Sequence, residues 1–194
     1  SISAWFKIGV GSGGGSLISK YSSSLGLQIL FKVQSSNIEV LSTNLNYRSS
    51  GTVTWADGNW HHVVMSYDSS RTFKERIQVY IDGSKVNNAG FNGPLTLPTS
   101  TADFYIGARS DVSFGKFTGS IDELALFNTA LTQSDVTAIY GSGVPTDLST
   151  YSSLTNWWRM GDSDTFPTLS DNKGSNDGTM TNMTSGNIVS DVPT

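Results

Sequence analysis

Asp122 and Glu123 stand side by side in Ile121-Asp122-Glu123-Leu124-Ala125-Leu126-Phe127. Two carboxylates are what hydrolysis of a glycosidic bond needs, one as acid and one as nucleophile or base. The run reads as a strand, so neighbouring side chains are expected on opposite faces. On that expectation the two acids cannot flank one bond, and the pair argues against hydrolase activity. Asp122 falls on the same side as Leu124 and Leu126. If that side is core, its carboxylate leaves water and must be paired or metal-bound. Calcium is the natural metal, because it accepts carboxylate and backbone oxygens from irregular loops. The plainer expectation is that Asp122 ends a turn or accepts backbone N–H groups.

His61 and His62 are the two histidines of the chain. Adjacent on a strand, they diverge and cannot chelate together, so packing is the expected role. Arg109-Ser110-Asp111-Val112-Ser113-Phe114 links two predicted strands. Arg109 and Asp111 offer charge-assisted hydrogen bonds to hydroxyls, and Phe114 offers a face for a sugar ring. Tyr47-Arg48 carries similar chemistry. The plain alternative is a polar connection whose Phe covers the core edge. Trp157-Trp158 offers a platform for sugar stacking. One ring must face the core and the other outward, and the plain alternative is that the linker or another chain covers the outward ring. Asn182-Met183-Thr184 is a glycosylation sequon, of consequence in a eukaryotic secretory setting.

These residues need a scaffold, and the pattern predicts an all-β one. Ile2, Ala4 and Phe6 alternate with Ser3, Trp5 and Lys7, which is strand periodicity. Gly9 to Ser16 is a glycine-rich connection without the Lys-Ser/Thr ending of a phosphate-binding loop. Further strands are expected at 17–20, 26–33, 37–42, 60–67, 77–81, 104–108 and 121–127, bounded by Ser-, Gly- and Asn-rich turns. Asp82-Gly83 signals a two-residue hairpin turn. One short helix is expected, with Thr132 as N-cap, Asp135 completing a capping box and Gly141 past its end. After Gly143-Val144-Pro145 the character of the sequence changes.

Composition narrows the function. The chain has 194 residues, 14% of them charged, a net charge of -4 and no cysteine. Its 12 basic residues are scattered, so no nucleic-acid footprint is present. Thiolate metal sites and Cys nucleophiles are excluded. No apolar run reaches the ~20 residues of a membrane span. The chain starts at Ser1 inside a strand-like segment and carries no leader pattern. The expectation is a processed chain or a piece of a longer one.

The ordered set Trp60-His61-His62-Val63-Val64, Ile77 to Gly83 and Phe117 to Tyr140 resembles the laminin-G-like, concanavalin A-like lectin-glucanase superfamily. The resemblance implies an antiparallel β-sandwich of jelly-roll type over residues 1–143, with one short helix. Residues 144–194 form a C-terminal extension. Within it, Trp157-Trp158-Arg159-Met160-Gly161-Asp162 and Asp171-Asn172-Lys173-Gly174-Ser175-Asn176-Asp177-Gly178-Thr179 are similar to the opening strands of such a domain. The extension is expected to dock on this sandwich or on a neighbouring subunit. The family also implies a structural calcium at Asp122. Its usual partner ligands come from leading strands that this chain lacks or has displaced, and Asp162, Asp164 and Asp171 of the tail are the candidates in their place. Retaining enzymes of similar fold carry their acids two apart along a strand, a pattern missing here. Similar modules occur in marine phage structural proteins. The function expected is therefore a non-catalytic structural or adhesion module of a phage virion surface (decoration, fibre or tail adhesion) that contacts other subunits and host glycan. A secreted or cell-surface bacterial lectin-like module is the alternative, and a glycan hydrolase or lyase the remote one.

Overall fold

The computed structural model describes residues 1–22, 26–43, 45–49, 54–86, 88–92, 101–109, 115–162 and 164–194; of 45–49, 73 and 88–92 it describes the backbone. In chain order the strands are β1 (Ile2–Lys7), β2 (Gly14–Ser22), β3 (Gly26–Gln34), β4 (Ile38–Ser42), β5 (Leu45–Ser49), β6 (Trp60–Tyr67), β7 (Ile77–Ile81), β8 (Ser84–Lys85), β9 (Asn88–Asn92), β10 (Phe104–Ile106) and β11 (Ser120–Phe127). Helix α1 (Gln133–Tyr140) follows, then β12 (Leu154–Trp158), β13 (Thr168–Leu169) and β14 (Gly178–Thr179). Two six-stranded antiparallel sheets result, in the orders β12-β11-β1-β6-β7-β8 and β10-β2-β3-β4-β5-β9, plus the small pair β13-β14. This is the predicted sandwich. No helix among the described residues is long and apolar enough to cross a membrane.

Alternation sorts the side chains into layers. Ile2, Ala4 and Phe6 of β1, with Val63 and Met65 of β6, enter the space between the sheets and meet Ile18, Phe31, Val33, Ile38 and Val40 of the second sheet. The opposite face of the first sheet is also buried. Val64, Tyr80 and Ala125 pack there under Val136 and Ile139 of α1. The first sheet is therefore the middle of three layers, which is why β1 is buried on both faces.

Local chemistry sets the ends of α1. Thr132 N–H donates to Asp135 Oδ2 at 2.8 Å and Asp135 N–H to Thr132 Oγ1 at 3.2 Å, the predicted capping box. Gly141 takes φ of 59°, and a Cβ there would sit 2.3 Å from the Val144 carbonyl. The chain then turns back across α1, with Thr146 Oγ1 donating to the Ile139 carbonyl at 3.1 Å and Leu148 buried. Strand β12 joins the sheet beside β11, pairing Trp158 with Leu124 and Trp157 with Ala125. As expected of neighbours on a strand, Trp158 enters the inter-sheet core and Trp157 the outer cluster, where Leu148 of the linker helps to cover it.

Candidate functional site

The pairing of β11 with β1 slips at the acidic pair. Ile121 lies opposite Phe6 and Asp122 opposite Trp5, but Ala125 lies opposite Ser3. Three steps along β11 match two along β1, so β11 carries a β-bulge. Glu123 is its extra residue, at φ of 50°. A bulge re-aims side chains by inserting one residue into the alternation. Ile121 and Leu124 both pack toward the inter-sheet core. Asp122 shares the outer face with its partner Trp5, which stacks on Tyr140 of α1 with ring centroids 5.8 Å apart. Glu123 reaches the outer face too, where it meets Trp157.

Two expectations are corrected here. Asp122 is not on the side of Leu124 and Leu126, because the bulge shifts the phase between them. The two acids do not point to opposite faces, because strict alternation fails at Glu123. Both are nonetheless buried, Asp122 at 6% and Glu123 at 8% exposure.

Their surroundings are ordered by β12 and the residues after it. Trp157 Nε1–H donates to Glu123 Oε2 at 2.5 Å and Arg159 Nε–H to Oε1 at 3.2 Å. Arg159 Nη2 also pairs with Asp162 Oδ2 at 2.6 Å, and the guanidinium lies 5.0 Å from the Trp157 ring centroid. Burial pushes Asp122 up to about 7, with the Glu123 N–H bond opposing and the neighbouring Glu123 and Asp162 charges adding to the rise. Burial also raises Glu123, against the hydrogen bonds from Trp157 and Arg159. An open groove of about 270 Å³ lies above them, lined by Glu123, Pro145, Thr146, Asp147, Trp157 and Arg159.

The far side of β12 is held by Asp171. Its carboxylate accepts from Asn156 Nδ2 at 2.6 Å, from the backbone N–H of Trp157 and Gly174 at 2.9 Å each, and from the N–H of Lys173 and Asn176 at 3.1 Å each. Burial would raise this carboxyl, but the donors outweigh it and hold it below the usual range. Asp164 likewise accepts from the N–H of Gly161 at 2.9 Å and Ser170 at 2.8 Å. The tail acids thus face donors, while Asp122 Oδ1 accepts the Glu123 N–H at 2.8 Å. This donor-facing set does not fit a calcium site. Among the described residues no group of three or more His, Cys, Asp or Glu is arranged to hold a metal.

The histidines diverge as expected. His61 Nδ1 lies 2.8 Å from Asp82 Oδ2 and Nε2 3.2 Å from Asp57 Oδ1. The Asp82 bond is the main reason its pKa is raised. His62 points to the outer face, with Nε2 2.8 Å from Ser3 Oγ. Burial lowers it to about 4. Of the predicted glycan residues, Arg109, Tyr47 and Arg48 lie in or beside the second sheet. Arg109 follows β10 in the second sheet, its guanidinium 5.6 Å from the Tyr21 ring centroid. Asp111 and Phe114 fall outside the described residues. Tyr47 pairs with Val40 and Arg48 with Glu39 in that same second sheet. The groove residues Pro145, Thr146, Asp147 and Arg159 were missed. Arg159 carried a signal, since it stands two residues beyond the outward Trp157. The linker residues carried none.

The fold and the match to known proteins agree. Residues 1–137 match the family described as the concanavalin A-like lectin/glucanases superfamily, Laminin_G_3. The chain belongs to this family. Among solved structures, this superfamily member is similar to a candidate carbohydrate binding protein from Bacteroides ovatus. The TM-score is 0.64 at 18% identity, over 92% of this chain and 51% of that one. The chain thus spans about half the length of that protein. It is also similar to a heptameric SAP-like pentraxin from Limulus polyphemus, with TM-score 0.53 and 16% identity over 72% of this chain and 68% of the other. At these identities the likeness shows the fold alone. No curated protein sequence matches the chain.

Proposed function

We propose that this superfamily member is a non-catalytic carbohydrate-recognition module that uses the groove beside β12. One observation carries the reading: the groove joins a donor and acceptors in one concave space. Arg159 supplies N–H groups, Glu123 and Asp147 supply carboxylate oxygens, and Trp157 and Pro145 supply apolar surface. A sugar hydroxyl both donates and accepts, so it is matched by mixed lining of this kind. At about 270 Å³ the space is just below the range usual for ligand pockets, which suits one or two sugar rings. The candidate carbohydrate binding protein of similar fold supports the same reading.

The buried acid pair favours a hydrolase as the second reading, because the bulge brings Asp122 and Glu123 to one face. Two features weigh against it. Both Glu123 oxygens already accept hydrogen bonds, and Asp122 is not among the groove-lining residues. A retaining pair needs both carboxylates at the scissile bond. The setting we propose is a virion or extracellular surface, alongside other subunits. The low charge and the absence of cysteine are compatible with that setting.

The test is a glycan array followed by calorimetry. Binding that is lost in Arg159→Ala and in Asp147→Ala, with an unchanged fold, supports the groove. Asp147 is exposed, so its variant keeps the test open if Arg159→Ala misfolds. Binding unchanged in Asp147→Ala and in a folded Arg159 variant would refute the groove. Sugar cleavage abolished by Asp122→Asn would refute the non-catalytic reading.

A further inference from the structure

The charges around the groove also point to the class of saccharide, an inference that rests on the groove being the binding site. Among the described residues, Arg159 is the one cation lining it. Its Nε–H is committed to Glu123 and its Nη2 to Asp162. The guanidinium charge is therefore countered twice before any ligand arrives. Asp147 adds a further carboxylate to the lining, and its Oδ1 accepts the Ser149 N–H at 2.9 Å.

An incoming carboxylate or sulfate would face this acidic excess, and the one cation among the described lining residues already carries two carboxylate partners. Like charges brought together at a binding surface weaken binding. A hydroxyl meets no such penalty. A guanidinium has five N–H groups, and two of those on Arg159 are used, so donors remain on it. Each carboxylate oxygen has more than one acceptor site, so Glu123 can serve Trp157 and still accept from a ligand.

We propose that the groove takes an uncharged saccharide unit through a pair of neighbouring hydroxyls, and excludes acidic units. One hydroxyl accepts from Arg159 and the other donates to Glu123 or Asp147. Selectivity thus comes from the acidic excess, while affinity comes from the mixed lining.

Three oligosaccharides of the same linkage test this by calorimetry: the neutral hexose form, its form oxidised to the uronic acid, and its 2-amino form. The neutral form is expected to bind. The uronate is expected to bind at least about tenfold more weakly, in line with a like-charge penalty, and the gap is expected to shrink as salt rises. Asp147→Asn is expected to narrow the gap, while the neutral form still binds. Equal or tighter binding of the uronate overturns the proposal and leaves the groove reading intact. The amino form is expected to bind at least as well as the neutral one, since the acidic excess attracts a cation, and amino binding as weak as the uronate's also overturns the proposal. Failure of all three, together with no groove-dependent signal on the array, would instead count against the groove itself.

Discussion

Asp122→Asn should make the protein more stable at neutral and alkaline pH. The folded chain holds the Asp122 proton up to about 7, against an ordinary value of 3.8. Below pH 3.8 the carboxyl is protonated in both states and has no effect on the balance. As pH rises, the unfolded chain releases its proton first and the folded chain lags behind. Stability is therefore lost progressively between about pH 4 and pH 7. A shift of three units corresponds to about 4 kcal/mol at about 1.4 kcal/mol per unit. Asp122 is 6% exposed, but the groove lies nearby and relaxation screens part of this, so about 2–4 kcal/mol is expected. Asn can keep the bond from the Glu123 N–H through its own carbonyl oxygen. Urea denaturation of both proteins from pH 4 to pH 8 measures the difference directly. The variant should match the parent near pH 4 and exceed it increasingly up to pH 7. A constant difference across that range, or a variant less stable at pH 8, would refute the burial argument.

Other expectations concern the parts that frame the groove. His62, lowered to about 4 by burial, resists protonation that the unfolded chain accepts near 6.5. It should cost up to about 3 kcal/mol as pH falls from 6.5 to 4. Asp122 works in the opposite direction over that range, so the parent should be nearly flat and the Asp122→Asn variant acid-sensitive in the same titration. Asp171→Ala removes the acceptor for Asn156 and four backbone N–H groups and should cost about 2–4 kcal/mol. Hydrogen exchange should show the loss centred on residues 157–176; uniform loss across both sheets would contradict this. Trp158→Ala empties a core site stacked on Phe104 at 6.0 Å and should cost about 3–5 kcal/mol in denaturation. A cost under about 1 kcal/mol would mean that β12 does not close the core.

Wherever the backbone obeys a local rule, the sequence was readable. Alternation put Ile2, Ala4 and Phe6 on one face of the strand and Ser3 and Trp5 on the other, as found. Asp82-Gly83 carries positive φ at both residues, as its turn type demands. Thr132, Asp135 and Gly141 cap α1 as expected. The failure falls at Glu123. A bulge is a mismatch between two strands over a hundred residues apart, and neither strand alone encodes it. Once the phase is lost there, the side assigned to Asp122 is wrong, and so is the claim that the acids diverge. The groove was hidden for a related reason. It is made where the 145–147 linker passes the end of β12, and that meeting depends on the bed that Leu148 and Trp157 find against α1. The strands β5 and β9 were also missed, because Leu45–Ser49 holds only two apolar residues, Leu45 and Tyr47, and Gly90 interrupts Asn88–Asn92.

The groove itself is best tested by nuclear magnetic resonance of the indole N–H groups during titration with a neutral oligosaccharide. The chain has five tryptophans, and the Trp157 indole is held by Glu123 beneath the groove. Its signal should move first and saturate with the binding curve, while that of Trp55 in the inter-sheet core stays in place. A sugar that binds with Trp157 unmoved, shifting instead the amides around Arg109 on the second sheet, would contradict the account.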